Sequence, residues 1–264
     1  MDILITRELT RSFGALRAVD SLDLAVREGE VFGLLGRNGA GKTTLIKMLT
    51  TLLPPSAGSA TVDGFDVARE PARVRAIIGY VPQALSADGE LTGRENLLVF
   101  ARLYDIAAGL RRQRIDEGLA FMGLADAADR LVATYSGGMI RRLEIAQSML
   151  HRPRVLFLDE PTVGLDPVAR EVVWAHIEEL RSQYGTTIVL TSHYMDEVEK
   201  LCDRVAILRR GKLVALGTLP ELRANAGEAA RSLDEVFAFY TEDVETAGGY
   251  RETARTRSNV RRLG

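Results

Sequence analysis

The sequence predicts an α/β fold: a P-loop core with a parallel sheet, an antiparallel β subdomain at the N-terminus and a helical insertion. Three observations lead to this prediction. Apolar and polar residues alternate through much of the first thirty positions, as in half-buried antiparallel strands. A short apolar strand, Val31–Leu35, leads directly into the glycine-rich loop at residues 36–44. Further apolar strands then alternate with helices, which indicates a parallel sheet with ligands at the carboxyl ends of its strands.

The other elements follow from how the hydrophobic period changes along the chain. A helix is expected at residues 42–51, and Pro54 and Pro55 stop it. From about residue 92 to 131 the period is helical, which predicts the insertion near residues 88–135. The later core elements are expected to be strands at 77–81, 155–158, 187–190 and 204–208, a helix at 168–183 and a short helix before residue 204.

The composition limits the class of protein. A chain of 264 residues is expected to form one domain with appendages, and its hydrophobic content of 46% is enough for a core. The net charge of -2 offers no general attraction for nucleic acid. The single cysteine, Cys202, excludes an internal disulfide. No apolar run approaches the roughly 18 to 20 residues that span a bilayer, so we expect a soluble or peripheral cytoplasmic protein.

The loop at residues 36–43 reads GRNGAGKT and satisfies the P-loop pattern, with a strand before it and a helix after it. Its glycines let backbone amides converge on phosphate oxygens, and the helix N-terminus adds partial positive charge. Lys42 is expected to reach the β and γ phosphates, and the Thr43 hydroxyl to ligate Mg²⁺. This motif predicts a P-loop NTPase core. The expected nucleotide-binding residues of the loop are Gly36, Asn38, Gly39, Gly41, Lys42, Thr43 and Thr44.

An apolar strand that ends in two carboxylates supplies the acidic partner of such a loop. In VLFLDE, residues 155–160, Asp159 is placed to hold Mg²⁺ through water. Glu160 is placed to orient or deprotonate the water that attacks the γ phosphate. Adjacent acids at a strand end also occur as solvated caps, but the P-loop favours the catalytic interpretation.

A second anion-binding motif, YSGGM at residues 135–139, opens a helix. Free backbone amides, the Ser136 hydroxyl and a helix dipole would bind phosphate there, although Ser136 by itself fits an ordinary N-cap equally well. A loop at the far edge of the helical insertion is not expected to fold back onto phosphates already enclosed by residues 36–44. It can instead cover the γ phosphate held by another copy of the chain, if two copies face each other head to tail.

The order of these motifs resembles the nucleotide-binding subunit of ATP-binding-cassette transporters over about residues 1–220. The motifs are the P-loop, YVPQ (80–83), YSGGM, VLFLDEPTVGLD (155–166) and TSH (191–193). The resemblance implies that Gln83 senses Mg²⁺ and the attacking water, that His193 contacts the γ phosphate and that Asp166 lies at a contact between two subunits. It also implies a homodimer with two sandwiched ATP molecules, each between one subunit's P-loop and the other subunit's Ser136, Gly137 and Gly138.

The adenine ring needs a flat surface, and base stacking on an aromatic ring contributes about 1 to 3 kcal/mol. In this family the ring is commonly a Tyr some thirty residues before the P-loop lysine. Phe13 is the match here and keeps the stacking face without the hydroxyl. The alternative is that the Phe13 ring belongs to a small satellite core.

Two departures from the common family pattern are Tyr135, where Leu is usual, and Met139, where Gln is usual. Neither is expected to abolish a phosphate contact made by backbone amides and Ser136. Together with the two arginines after YSGGM, the run EPTVGLDP and SLDEVF at residues 232–237, they resemble the ATPases of daunorubicin/doxorubicin-resistance-type exporters.

This resemblance implies an ATPase at the cytoplasmic face of the membrane, the motor subunit of an exporter that confers drug resistance. The helical insertion would grip a separate transmembrane permease subunit that carries a drug, lipid or glycoconjugate. Residues 1–220 would form the nucleotide-binding domain, and residues 221–264 a C-terminal helical extension with a basic tail. The tail, residues 251–264, has five arginines and either touches inner-leaflet lipids or is a solvated end.

Two alternatives remain open. The first is a soluble ATP-binding-cassette protein that acts on DNA or ribosomes, but such proteins usually carry a long coiled coil or two cassettes. The second is a regulatory module that binds nucleotide without turnover. The joint presence of Lys42, Asp159, Glu160 and His193 argues against this regulatory module. We also expect no nucleic-acid partner.

Overall fold

The structure, a computed structural model, describes residues 1–226 and 232–241. The arginine-rich tail at residues 251–264 lies outside the described residues. The strands are β1 (Asp2–Phe13), β2 (Leu16–Arg27), β3 (Val31–Leu35), β4 (Ala57–Val62), β5 (Phe65–Asp66), β6 (Ile78–Val81), β7 (Val155–Asp159), β8 (Thr187–Ser192), β9 (Arg204–Arg209) and β10 (Lys212–Gly217). The α-helices are α1 (Lys42–Leu49), α2 (Pro71–Ile77), α3 (Gly93–Leu103), α4 (Ala108–Phe121), α5 (Gly137–Met149), α6 (Pro167–Tyr184), α7 (Met195–Leu201), α8 (Leu219–Ala226) and α9 (Leu233–Thr241).

A six-stranded sheet with the order β10-β9-β3-β8-β7-β6 forms the centre of the fold. Its strands run parallel except β10, which pairs antiparallel with β9 at one edge. Every residue of β3, β7 and β8 is buried, as expected of a parallel sheet covered on both faces. The register pairs Asp159 of β7 with Thr191 of β8, which brings two motif ends together. The predicted α/β core with a parallel sheet is confirmed.

A second, antiparallel sheet with the order β2-β1-β4-β5 confirms the β subdomain expected at the N-terminus. The apolar side chains of β1 and β2 pack with α1 against one face of the central sheet. From the centre, Phe32 of β3 and Phe157 of β7 belong to this cluster. The sheet that the alternating pattern of the first thirty residues forms thus lies on one side of the loop that follows β3.

Helices α3, α4, α5 and α6 pack against the other face of the central sheet. Leu156 and Leu158 of β7 point to this side, whereas Val155 and Phe157 point to the opposite one. This alternation within one short strand is the period of two that β structure imposes. The helical layer places the N-terminus of α5 beside the start of α6.

Four elements have no counterpart among the predicted ones: β4, β5, α2 and β10. β4 reads AGSATV, whose small residues lack the strong apolar alternation of a strand. β10 is an edge strand with alternate residues exposed, so its side chains do not form a continuous apolar run. Helix α1 also ends at Leu49 rather than at residue 51.

Helices α8 and α9 follow β10 and pack against β9 and α7. Leu222, Leu233 and Val236 bury their side chains in this third apolar cluster, together with Val205 of β9. Among the helices that the structure describes, none combines the length and the apolar character needed to cross a membrane.

Candidate nucleotide site

An open cleft of about 480 Å³ lies beside the loop that follows β3. Three separate elements contribute one predicted site residue each: Phe13 from the end of β1, Gln83 after β6 and Glu160 after β7. The cleft has the size range of small-molecule sites in proteins. The other lining residues are Leu16, Ala18, Arg37, Asn38, Gly39, Ala40, Gly41, Lys42, Thr43 and Thr44.

Two glycines of the P-loop occupy positions where no side chain fits. Gly41 has a φ of 106°, in the left-handed region, and a Cβ there would lie 2.3 Å from the carbonyl oxygen of Ala18. A Cβ at Gly36 would lie 2.7 Å from the carbonyl oxygen of Leu208. The loop is therefore in close contact with the chain on both sides, and its backbone amides remain near the cleft.

Lys42 is the first residue of α1, and its side chain is buried. Its Nζ atom donates to the carbonyl oxygen of Gly36 at 2.7 Å and lies 3.7 Å from Oε1 of Glu160. An ammonium group has three N–H donors, so the bond to Gly36 leaves donors for a phosphate oxygen. The N-terminus of α1 adds partial positive charge at the same place.

The carboxylate of Asp159 is buried and held by two hydroxyl groups. Thr191 Oγ1 donates to Asp159 Oδ1 at 2.6 Å, and Thr43 Oγ1 donates to the same atom at 3.3 Å. Burial, and after it the negative charge of Asp159, raises the pKa of Tyr80 to about 12. The phenol of Tyr80 thus stays protonated at neutral pH.

Glu160 is held in a conformation that few non-glycine residues adopt. Its φ is 51°, and left-handed backbone costs an L-residue about 1 to 2 kcal/mol. Its amide compensates by donating to Oγ1 of Thr191 at 2.9 Å and to the carbonyl oxygen of Thr191 at 3.2 Å. Its Oε2 atom lies 2.7 Å from Nδ1 of His193, so the carboxylate is oriented by a second side chain.

The oxygen atoms around Asp159 fit a hard divalent cation such as Mg²⁺. Within the described residues, no group of three or more His, Cys, Asp or Glu side chains is arranged to hold a metal ion. Mg²⁺ in nucleotide sites commonly uses one or two carboxylates and completes its shell with substrate phosphates and water. The Thr43 hydroxyl and the Asp159 carboxylate are such a partial set.

None of the predicted residues Ser136, Gly137, Gly138 and Asp166 lines this cleft. Asp159 and His193 do not line it either, but they contact Thr43 and Glu160, which do. Ser136 caps α5 by accepting from the amide of Met139 at 3.3 Å, and Asp166 caps α6 by accepting from the amide of Ala169 at 3.0 Å.

The two caps belong to helix ends that touch each other. A Cβ at Gly138 would meet the Cβ of Ala169 at 2.9 Å. Both capping residues are exposed. Two helix N-termini are therefore adjacent, with their capping residues exposed and Gly138 buried at the contact.

The Phe13 ring is 48% exposed, lines the cleft and has the guanidinium of Arg11 over it at 4.8 Å. It does not belong to any of the three buried clusters. The unusual Tyr135, in contrast, is buried and donates from its hydroxyl to the carbonyl oxygen of Ala127 at 2.7 Å. Tyr135 thus holds the segment that precedes α5 in place through a hydrogen bond inside the helical layer.

Sequence reasoning missed the part that Thr191 plays. Its hydroxyl joins Asp159 and Glu160, yet the motif TSH directs attention to His193. The available signal was its place near the end of a parallel strand, since residues there cluster at one edge of the sheet. Which strand is the neighbour is settled only by the sheet order.

A family model described as ABC transporter matches residues 19–163, more than half of the chain. The chain belongs to the ABC transporter family. This ABC protein is 48% identical over 222 residues to the daunorubicin/doxorubicin resistance ATP-binding protein DrrA of Streptomyces peucetius, covering 84% of this chain and 67% of that one. It is 38% identical to the linearmycin resistance ATP-binding protein LnrL of Bacillus subtilis (strain 168), covering 85% and 72%.

A solved structure of an ATP binding subunit of an ABC transporter is also similar. It is 30% identical, superposes with a TM-score of 0.81 and covers 91% of this chain and 100% of its own. The predicted resemblance to the ATP-binding-cassette family, including its daunorubicin/doxorubicin-resistance branch, is confirmed. The chain is therefore a nucleotide-binding ATPase, as predicted.

Proposed function

We propose that this ABC ATPase is the motor subunit of a drug-resistance-type exporter, and that two copies sandwich two ATP molecules head to tail. The observation that carries the proposal is the split between a cleft and a second, separate phosphate motif. The cleft collects the P-loop, Phe13, Gln83 and Glu160, whereas Ser136 lies outside it on an exposed helix end. Such an arrangement fits a site that a second copy completes.

Within one chain, the P-loop backbone and Lys42 bind the phosphates, and Phe13 stacks on adenine. The loop residues Gly36, Asn38, Gly39 and Gly41 contribute amides, and Thr44 contributes its hydroxyl. The Arg11 guanidinium lies over one face of the Phe13 ring, 4.8 Å from its centroid, which leaves the other face for the base.

Thr43 and Asp159 would hold Mg²⁺, with Gln83 near it at the cleft wall. When bound, Mg²⁺ would neutralise charge on the phosphates. Glu160 orients the attacking water and accepts its proton, and its contact with His193 directs the carboxylate. His193 reaches the γ phosphate from the next strand end.

Between chains, the amides of Gly137 and Gly138 and the hydroxyl of Ser136 would contact the γ phosphate of the second copy. Asp166 would lie at the same interface, because its helix end packs against that of Ser136. Closure with ATP and opening after hydrolysis would then form a two-state switch.

Transport requires a membrane-spanning partner, and exposed apolar side chains in the helical layer support docking there. Leu103 at the end of α3 is 71% exposed, and Leu85 and Val99 are exposed in the same part of the chain. A separate permease subunit bound at this layer would hold the ATPase at the cytoplasmic face of the membrane. DrrA and LnrL are named for resistance to drugs, so of the drug, lipid and glycoconjugate classes we propose a drug as the cargo.

The basic tail at residues 251–264 would touch anionic lipids of the inner leaflet, which its five arginines favour. Deletion of these residues is expected to weaken binding to vesicles that contain anionic lipid. Equal binding by the full chain and the deletion variant would mean that the tail is only a solvated end.

The experiment uses inverted membrane vesicles from cells that produce this chain together with a membrane protein that co-purifies with it. With ATP present, the vesicles are expected to accumulate doxorubicin, and vesicles with Lys42→Ala are not. Lys47→Ala, on the exposed side of the same helix, is the matched control and should behave like the wild type. The same comparison is made with several amphipathic drugs. If wild-type vesicles and Lys42→Ala vesicles accumulate these drugs equally, the proposal is contradicted.

A further inference from the structure

A buried ion pair in α5 holds the loop that carries Gln83. Arg141, 1% exposed, donates from Nη1 to the carbonyl oxygen of Pro82 and from Nη2 to that of Gln83, both at 2.7 Å. Its partner Glu144, three residues on along the helix, lies 3.1 Å from Arg141 Nη1. The pair thus connects α5 to the backbone on which the Gln83 side chain depends.

Glu144 holds the other end of the same loop. Its Oε1 atom accepts from the hydroxyl of Ser86 at 3.0 Å and also from the amide of Ser86. We call residues 82–87 the Gln83 loop. The Arg141 cation therefore binds carbonyl groups at the start of the Gln83 loop, and the Glu144 anion binds an amide near its end. Both members of the ion pair thus hold the loop.

Because Arg141 and Glu144 are buried, loss of one of their hydrogen bonds would leave a charged group without both water and a partner. Desolvation lowers the pKa of Arg141 and raises the pKa of Glu144, while each charge favours the ionised form of the other. A guanidinium presents two N–H groups in a fixed fork, so it holds two successive carbonyls in one geometry better than an ammonium does. The Gln83 loop is therefore positioned by α5 rather than by its own sequence.

The helix that holds the loop is also the one that begins at Ser136. Ser136 and Gly137 at its N-terminus are exposed, whereas Arg141 lies about one turn further along and is buried. Because the backbone of α5 is continuously hydrogen-bonded between these two points, a displacement of its N-terminus would carry Arg141 with it.

We propose that Arg141 and Glu144 are positioning residues for ATP hydrolysis, which set the place of Gln83 in the cleft and tie it to the N-terminus of α5. This rests on the proposed roles of Gln83 and Ser136. A phosphate of the second copy that binds the Ser136 end would then adjust Gln83 in the first copy's own cleft. The nucleotide-binding residues of the P-loop are not part of this connection.

The test is a double-mutant cycle on ATP hydrolysis by the full chain. Arg141→Lys keeps the charge and loses the fork, and is expected to lower kcat by about tenfold or more, as small misplacements of catalytic groups do. KM for ATP should change by less than about twofold, because the P-loop is untouched. Arg142→Lys is the matched control: Arg142 lies next to it on α5 but donates to the carbonyl oxygen of Met122.

The deciding comparison is made in the Gln83→Ala background. If Arg141 acts through Gln83, Arg141→Lys should lower kcat of that variant by less than about twofold. If Arg141→Lys lowers kcat as much in the Gln83→Ala background as in the wild type, or does not lower kcat of the wild type at all, the inference is overturned while the proposed role of Gln83 stands. A Gln83→Ala variant with normal kcat overturns both. Glu144→Asp, which shortens the reach to Ser86, repeats the cycle if Arg141→Lys does not fold.

Discussion

Nδ1 of His193 lies 2.7 Å from Oε2 of Glu160, across the ends of two neighbouring parallel strands. The Glu160 side chain is almost completely buried, and that of His193 is 44% exposed. The carboxylate is thus fixed from one side by a residue that also faces solvent. A base in this position can accept a proton from water without first changing its rotamer.

Glu160→Gln tests the role of this carboxylate. We expect ATP to bind with unchanged affinity, because the P-loop contacts remain, and kcat to fall by about a hundredfold or more through loss of the general base. Single-turnover hydrolysis of labelled ATP measures this loss. Glu171→Gln, at an exposed site on α6, should hydrolyse ATP at the wild-type rate. A Glu160→Gln rate within threefold of the wild type would remove Glu160 from the reaction.

Thr191→Val tests the hydroxyl that joins the two acids. Valine keeps the shape but leaves Asp159 Oδ1 without its 2.6 Å donor and Glu160 with only a backbone acceptor. We expect kcat to fall about tenfold and the free energy of unfolding to fall by about 1 to 3 kcal/mol. Thr191→Ser restores the hydroxyl and should recover both values. Steady-state kinetics and urea denaturation give them, and an unchanged kcat in Thr191→Val would mean that the bridge serves packing alone.

Phe13→Ala tests adenine stacking. Loss of the ring should weaken ATP binding by about 1 to 3 kcal/mol, whereas Phe13→Tyr keeps the face and should bind normally. Calorimetric titration with a slowly hydrolysed ATP analogue measures the change. Equal affinity of Phe13→Ala and the wild type would show that the base lies elsewhere.

Glu197 predicts a pH dependence of stability. Its carboxylate is buried and accepts from Thr162 and Trp174 at 2.7 and 2.9 Å, but desolvation prevails and raises its pKa. Below the unfolded pKa of 4.5 the group is neutral in both states, so its ionisation costs no stability there. As pH rises through the folded value, ionisation favours the unfolded chain and stability is lost.

Glu197→Gln removes this titration. The free energy of unfolding of the variant, relative to the wild type, should therefore be higher at pH 8 than at pH 5, as urea denaturation at both values measures. Glu199 lies on the same helix as Glu197 and forms a partly exposed ion pair with Arg223 of α8, so Glu199→Gln should show a much smaller change with pH. A Glu197→Gln difference that stays constant between pH 5 and pH 8 would contradict the assignment.

The sequence predicts the parts of the site that are contiguous in the chain. The P-loop needs only residues 36–44 and the helix after them, and the acids need one apolar strand. It does not predict the Thr191 bridge, because that depends on the register of β7 against β8. Arg141 is likewise 59 residues from Pro82, and nothing local indicates that its side chain turns inward.

The same distinction holds for the fold. Buried parallel strands such as β7 are continuous apolar runs and were predictable, whereas β4 and β10 have small or half-exposed residues and depend on their neighbours. Tertiary pairing, rather than propensity, makes these two segments strands.

The most direct test of the account is the association state of Glu160→Gln with ATP and Mg²⁺, measured by sedimentation velocity. We expect Glu160→Gln to become a dimer, and Lys42→Ala to stay a monomer because it loses the phosphate contact. Glu160→Gln combined with Ser136→Asp keeps a good helix cap but adds a negative charge facing the partner's γ phosphate, so it should bind ATP and remain a monomer. A double variant that dimerises as readily as Glu160→Gln, or a Glu160→Gln variant that stays monomeric at saturating ATP, would contradict the shared site.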